Sequence, residues 1–288
     1  VLLVCLAGGG HAGPAVVTHP LAPSRILGVF EAADGRVFVG CADGLYRFDG
    51  LRYQRVDGYP FGATTSEKIQ IQQTDDGAIW VGGDSQGLAR MDPGTGSFRV
   101  ILNEPFRNIV AVGNTILVRH AGAKPGLAVD SARPEVRRTV ESIDNQLFAG
   151  PVPGSFWVNR HNEAVEFDLS TMEARAVRGL PREYSIALPD GQGRTWVITG
   201  ERLEAWRGGR RVAVHGVRRV SINRSLVPGR NGQLWFRNDG YVFGLNPPIA
   251  LPELPFSPGI VHEGAGGRLW AGANGGGTLL QIDSGIAQ

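Results

Sequence analysis

Short apolar runs separated by glycine-, aspartate- and asparagine-rich turns extend along almost the whole chain. The first set is RILGVFE (Arg25 to Glu31), RVFVG (Arg36 to Gly40), GLYRFD (Gly44 to Asp49) and LRYQRV (Leu51 to Val56). Runs this short, rich in β-branched and aromatic residues and bounded by turn residues, read as strands, because an amphipathic helix needs a longer stretch at a period near 3.6 residues. Asp34-Gly35 predicts the tight turn between the first two: the aspartate closes a local hydrogen bond and the glycine accepts positive φ. Asp76-Gly77, Gln192-Gly193, Asn231-Gly232 and Gly266-Gly267 occupy the same place further along.

Aligning each turn with the bulky residue that follows it gives Phe38, Trp80, Leu117, Trp157, Trp196, Trp235 and Trp270, at intervals of 42, 37, 40, 39, 39 and 35 residues. A period near 40 with several short strands per unit predicts an all-β fold, a seven-bladed β-propeller whose four-stranded antiparallel blades bury their faces against each other. The ring recurs at one place in the unit because it fills the wedge between neighbouring sheets. Only Trp206 falls outside the pattern. The third unit is the least regular, with Asn114 at the glycine place, Leu117 at the ring place and no clear pattern from there to Arg138.

The seventh unit supplies GIVHE (Gly259 to Glu263), RLWAG (Arg268 to Gly272) and TLLQID (Thr278 to Asp283), leaving little sequence for an outer strand. An open outer edge is an aggregation liability. AVVTHPL (Ala15 to Leu21) is therefore expected to close the last blade, the alternative being sequence beyond Gln288 in a longer parent.

Two of the units resemble the two-component regulator propeller repeat: DGRVFVGCADGLYRFDG, at Gly35, Phe38, Gly40, Gly44, Leu45, Arg47 and Asp49, and DDGAIWVGGDSQGLARMD, at Gly77, Trp80, Gly82, Gly87, Leu88, Arg90 and Asp92. Units four to seven keep the glycine and tryptophan and mostly lose the Gly-Leu-x-Arg part. The resemblance implies an extracytoplasmic sensor domain of a larger receptor, with a histidine kinase or diguanylate cyclase output module in the same parent chain. No kinase or cyclase signature occurs in these 288 residues.

Composition changes the picture in three ways. With 42 glycines, 18 prolines and 19% charged residues, the chain is turn-rich. The formal net charge is only +2, which argues against nucleic acid as a partner, because such domains concentrate far more basic charge on one face. The opening VLLVCLAGGGHAGPA resembles the apolar and cleavage regions of a secretory signal, so residues 1–12 are read as a signal-peptide remnant and 13–288 as the sensor domain, a fragment of a longer protein. Export implies a periplasmic location, with the parent anchored in the inner membrane. Cys5 is preceded by Val4, unlike a lipoprotein signal, and Cys41 reads as a small buried strand residue. No metal or cofactor motif appears.

Function then falls to the loops, because the strands are committed to packing. Just after the second strand of four consecutive blades stand Arg119, Arg160, Arg202 and Arg237, with His120, His161 and Asp239 alongside. Guanidinium forks suit carboxylate or sulfate groups, so these residues are the candidate binding set for a small molecule, an acidic oligosaccharide in particular. The bland alternative spreads them over a wide rim, paired to Glu163, Glu201 and Asp239. GQLWF and DPGTGSF also resemble virginiamycin B lyase, a propeller that uses a histidine and a glutamate with magnesium; His262-Glu263 invites that comparison, but neighbours on a strand point to opposite faces. DGQGRTW (Asp190 to Trp196) resembles a sialidase Asp-box, with Gly191 at the defining aspartate place, and such boxes are turn elements. No catalytic residue is assigned. A third class is an interaction scaffold, using the proline-rich Asn246–Gly259 connection or the Arg207, Arg210, Arg211, Arg218 and Arg219 cluster; a homodimer is compatible with it.

Overall fold

A computed structural model describes residues 3–4, 15–64, 68–122, 124–140, 146–160, 163–190, 192–200, 202–216, 225–229, 233–238, 241–245, 248–250, 254–264, 267–273 and 275–283. They form seven antiparallel sheets arranged as a β-propeller. In blade 1 the strands run, from the channel outward, Ile26–Glu31, Val37–Cys41, Gly44–Phe48 and Tyr53–Arg55, within two residues of the sequence expectation. The inner strands of blades 2 to 7 are Ile69–Gln73, Phe106–Val112, Gln146–Ala149, Ile186–Pro189, Ser225–Pro228 and Pro258–Glu263.

Among the described residues the A–B turns form as their chemistry dictates; Asn231-Gly232 and Gly266 lie outside them. Gly35 and Gly77 adopt φ of 83° and 82°, and the Asp34 carboxylate accepts from the Arg36 amide at 3.0 Å. Blade 3 is more regular than its sequence suggests, with strands Phe106–Val112, Thr115–His120, Gly126–Asp130 and Arg137–Val140. Its turn keeps a positive-φ glycine, Gly113 at 58°, one residue earlier than expected, which frees the Asn114 side chain to accept from the Asp76 amide of blade 2 at 2.8 Å. The proline-rich stretch is not wholly a connection either: Pro248–Ala250 is the outer strand of blade 6. Arg210 and Arg211 lie on the outer strand of blade 5, Arg210–Gly216, while Arg218 and Arg219 lie outside the described residues.

The last blade is closed by the front of the chain. Ala15–Thr18 pairs antiparallel with Leu279–Asp283, Val16 opposite Ile282, and Leu3–Val4 pairs outside it. The chain thus meets its own beginning through a sheet ladder and not through a loop alone.

Among the described residues the core forms seven clusters, each between two consecutive blades. Phe38 and Leu45 of blade 1 pack on Ile69 and Ile71 of blade 2; Trp270 and Leu279 of blade 7 pack on Ile26 and Val29 of blade 1. Each ring-place residue, Leu117 included, is at most 4% exposed and belongs to the cluster its blade shares with the next. Cys41 is buried in the 7–1 cluster, where burial first and the nearby Asp43 charge second push its thiol up to about 12, the environment of an inert core residue.

Polar pairs reinforce the joints. Nε1 of Trp235 donates to Glu263 of blade 7 at 2.6 Å, and Nε1 of Trp270 donates to Glu31 of blade 1 at 2.6 Å. Both carboxylates are buried, and Glu31 also holds Arg268 at 2.6 Å, satisfying the charge that burial would otherwise penalise. Space for them is made by glycine: a Cβ on Gly229 or Gly264 would overlap Glu263 Oε2 or Glu31 Oε2.

Candidate functional site

The seven inner strands enclose a central cavity of ≈ 580 Å³, within the range of small-molecule sites. Register places its residues in layers. Two residues beyond the ring place, the second strand of each blade aims its side chain at the inner strand of the next blade. Glycine stands there where blades come closest: a Cβ on Gly40 would lie 2.7 Å from the Ile69 side chain. Asn159 of blade 4 uses the same position to bond Ala187 of blade 5 twice, donating to its carbonyl at 2.8 Å and accepting from its amide at 3.0 Å.

Arg119 of blade 3 and Arg237 of blade 6 share this position. Arg119 lies opposite Asn108 and Arg237 opposite Ser225 in their ladders. Arg237 donates through Nη1 to the Pro258 carbonyl at 2.9 Å and to that of Gly259, which pins its charge against the channel wall. A third cation joins them. Lys68 stands just before the inner strand of blade 2 and lines the cavity, as Arg25 does before that of blade 1. The pKa of Lys68 is lowered, chiefly because the surrounding channel wall desolvates it and further by the charges of Arg237 and Arg119, with Asp84 acting in the opposite direction. Lys68 keeps solvent contact through the open mouth.

The sequence-derived set is thus partly drawn together. Arg119 and Arg237 converge on Lys68. Arg160 lies at a hairpin end opposite Glu163, its side chain outside the described residues together with His161 and Asp239. Arg202 is exposed on the third strand of blade 5, opposite Thr199, two strands out from the channel. His120 is buried, its Nδ1 3.5 Å from Glu104 Oε1. Burial lowers its pKa more than the Glu104 carboxylate raises it. Expected just after the second strand, Arg119, His120, Arg160 and Arg237 lie on its last residues and Arg202 on the third strand, a distinction set by how far each stands past the ring place.

Lys68 and Arg25 were missed by the sequence reading. The signal was present: Lys68 is one of two lysines in the chain and directly precedes the alternating IQIQQ run.

The cavity wall has two characters. Gln70, Asn108 and Gln146 occupy one level of blades 2 to 4, and Ile186, Ile260 and Gly28 the same level of blades 5, 7 and 1. Gln70 is spent on a blade joint, donating to the Arg107 carbonyl at 3.0 Å and accepting from the Ile109 amide at 3.1 Å. The Asn108 Oδ1 is buried with no hydrogen-bond partner among the described residues. One level below, His262 lines the cavity with its ring 4.6 Å from that of Phe30, while its neighbour Glu263 faces away into the Trp235 bond. Among the described residues no group of three histidine, cysteine, aspartate or glutamate side chains is placed to hold a metal ion.

No family model and no curated protein matches this sequence. Solved structures do. The extracellular domain of the B. thetaiotaomicron one component system BT4673 superposes with a TM-score of 0.65 at 15% identity, over 92% of this chain and 39% of that one. The extracellular domain of the hybrid two component system BT3049 from the same organism gives 0.61 at 14%, over 91% and 40%. A catalytically inactive virginiamycin B lyase from Staphylococcus aureus with quinupristin gives 0.69 at 12%, over 94% and 99%. The fold is what they share. The resemblance carried by the first two repeats therefore extends to structure, in neighbours that include extracellular domains of one and two component systems, more than twice this chain's length.

Proposed function

We propose that this chain is the ligand-sensing propeller of an exported signal-transduction receptor and acts by binding, without catalysis of its own. The observation that carries the reading is the charge distribution of the channel. Among the described residues its wall includes Arg25, Lys68 and Arg237, all at the same mouth, and no aspartate or glutamate, although the whole chain holds 29 basic against 27 acidic residues. Segregation of one sign in a concave site concentrates a ligand of the other. The ligand class is an acidic oligosaccharide or small acid entering at this mouth. The likeness to receptor extracellular domains supports a periplasm-facing location and output domains in the same parent chain, anchored in the inner membrane.

A thermal-shift titration of the full chain against oligogalacturonate and a neutral gluco-oligosaccharide tests this, with Lys68→Met/Arg119→Met alongside. A ligand of the folded state raises the melting temperature, by about 2.7 kcal/mol of stabilisation at a hundredfold excess over Kd. A shift by the acidic compound, lost in the double variant, is expected. If neither compound shifts a well-folded protein, an interaction scaffold replaces the sensor.

A lyase is the second reading, favoured by His262 in the channel wall and by a fold likeness covering 99% of the lyase chain. Glu263 is committed to Trp235, so the adjacent pair does not supply one site.

A further inference from the structure

Resting on the sensing reading, we propose that the channel mouth recognises a hydroxylated carboxylate of the sugar-acid class, its carboxylate among Lys68, Arg119 and Arg237 and one hydroxyl donating to Asn108 Oδ1. The argument has three parts. First, Lys68 of blade 2 and Arg237 of blade 6 line one space, Arg119 of blade 3 is near enough for its charge to act on Lys68, and Arg237 is held by two backbone carbonyls, so the positive charge is preorganised. Such a site asks for a compact anion.

Second, the cavity wall contains an acceptor lacking a donor: the Asn108 Oδ1 has none among the described residues. A buried acceptor left unmade costs free energy that a ligand O–H recovers. An anion alone cannot satisfy this atom, since it brings only acceptors. A carboxylate carrying hydroxyls brings both.

Third, the opposing wall at the Asn108 level is Ile186, Ile260 and Gly28, which offers apolar surface to the C–H face of a pyranose. Asn108 lies directly opposite Arg119 in its sheet, so the hydroxyl and carboxylate contacts are adjacent, as they are on a uronic acid.

The test is a fluorimetric binding titration of the full chain with methyl β-D-glucuronide, methyl β-D-glucoside, propionate and sulfate. The glucuronide is expected to bind about tenfold or more tightly than either the glucoside or propionate, one factor for each half of the recognition. Lys68→Met should weaken glucuronide and propionate alike by about tenfold. Asn108→Leu, which removes an unpaired buried acceptor and so leaves the fold intact, should weaken the glucuronide alone by about fivefold. Equal binding of glucuronide, propionate and sulfate overturns the inference, and so does a glucuronide affinity untouched by Asn108→Leu. In either case an oligosaccharide-induced thermal shift would leave the sensing reading standing. Binding of the glucoside equal to the glucuronide and insensitive to Lys68→Met overturns the inference in favour of a neutral ligand. No binding by any probe, with no oligosaccharide shift, overturns both.

Discussion

The joint between blades 7 and 1 and the joint between blades 4 and 5 are built on the same residue type at the same place, and are held differently. Trp270 and Trp157 are both buried on the next blade. Trp270 donates to the buried Glu31, which Arg268 also grips. Trp157 Nε1 has no hydrogen-bond partner among the described residues. The difference lies in the receiving blade: the position of Glu31, opposite the residue before the ring place, is Pro189 in blade 5. Proline offers no side-chain acceptor. Blade 4 bonds its neighbour through Asn159 instead. The stronger polar latch falls where the chain closes on itself, and its counterpart Trp235–Glu263 is one joint away. Packing sets the period of the propeller, while the polar partner is chosen joint by joint.

The largest expected effect that tests this is Trp270→Ala against Trp157→Ala. Each removes a buried ring, a change that costs about 3–5 kcal/mol in a core. Trp270→Ala also strips a donor from a buried carboxylate, so it should lie at the top of that range and Trp157→Ala at the bottom. Urea midpoints of the two variants against the parent check the order. Equal losses would mean that the indole bond contributes nothing beyond packing.

Replacement of the indole donor alone sharpens the comparison. Trp270→Phe keeps an aromatic ring and loses a hydrogen bond to a charged group, about 1.5–3 kcal/mol. Trp157→Phe has no such bond to lose and should cost no more than its lost ring area. The ratio of the two effects is the quantity of interest, and the same unfolding measurement reads it.

How much of this was legible follows from the same pair of joints. Seven ring places, the turns and the N-terminal closing strand could be read because they rest on periodicity and local turn chemistry, which a linear sequence carries. The glutamates could not. Glu31 and Glu263 end strands in which a charged residue reads as the solvent-facing member of an alternation. Their burial depends on a tryptophan of another blade, 239 and 28 residues away. The mouth divides likewise. Arg119 and Arg237 stand two residues past the ring place and so still lie on the second strand, whereas Arg202 stands six past Trp196, beyond the turn and on the third strand. Lys68 gained its place from the circular arrangement of blades 2, 3 and 6, which no single repeat reveals.

Glycine supplies a smaller perturbation. Gly264→Ala would drive a Cβ into the Glu31 carboxylate and loosen the Trp270 latch from the opposite side. Overpacking of this kind costs about 1–3 kcal/mol. Gly62→Ala meets nothing within 4 Å and has an ordinary φ, so it should be nearly neutral and serves as the control in a melting experiment. If Gly264→Ala were as harmless as Gly62→Ala, the carboxylate would have room to move and the latch would be looser than its short bond to Trp270 implies.

Acid supplies the smallest effect, and it too acts on the closing blade. His19 follows the N-terminal closing strand, with its ring stacked 5.5 Å from Trp270 and set edge-on 4.8 Å from Phe48. Burial lowers its pKa below the ordinary 6.5, more than its hydrogen bonds to Gln281 and the Gly50 backbone raise it. The neutral ring is therefore the form the folded state prefers. Above pH 6.5 neither state binds the proton and His19 contributes no pH dependence. As pH falls from 6.5 toward the lower folded value, the unfolded chain takes up a proton that the folded chain does not, and stability declines across that window. His120 in blade 3 titrates with the same sign, but it faces Glu104 and Lys124 and touches no closing strand. His19→Phe keeps a ring against Trp270 and cannot take a proton, so its melting temperature should fall less than the parent's between pH 6.5 and 5. An unchanged pH slope in His19→Phe would assign the acid sensitivity to His120 and to the rest of the molecule, leaving the closing seam indifferent to pH.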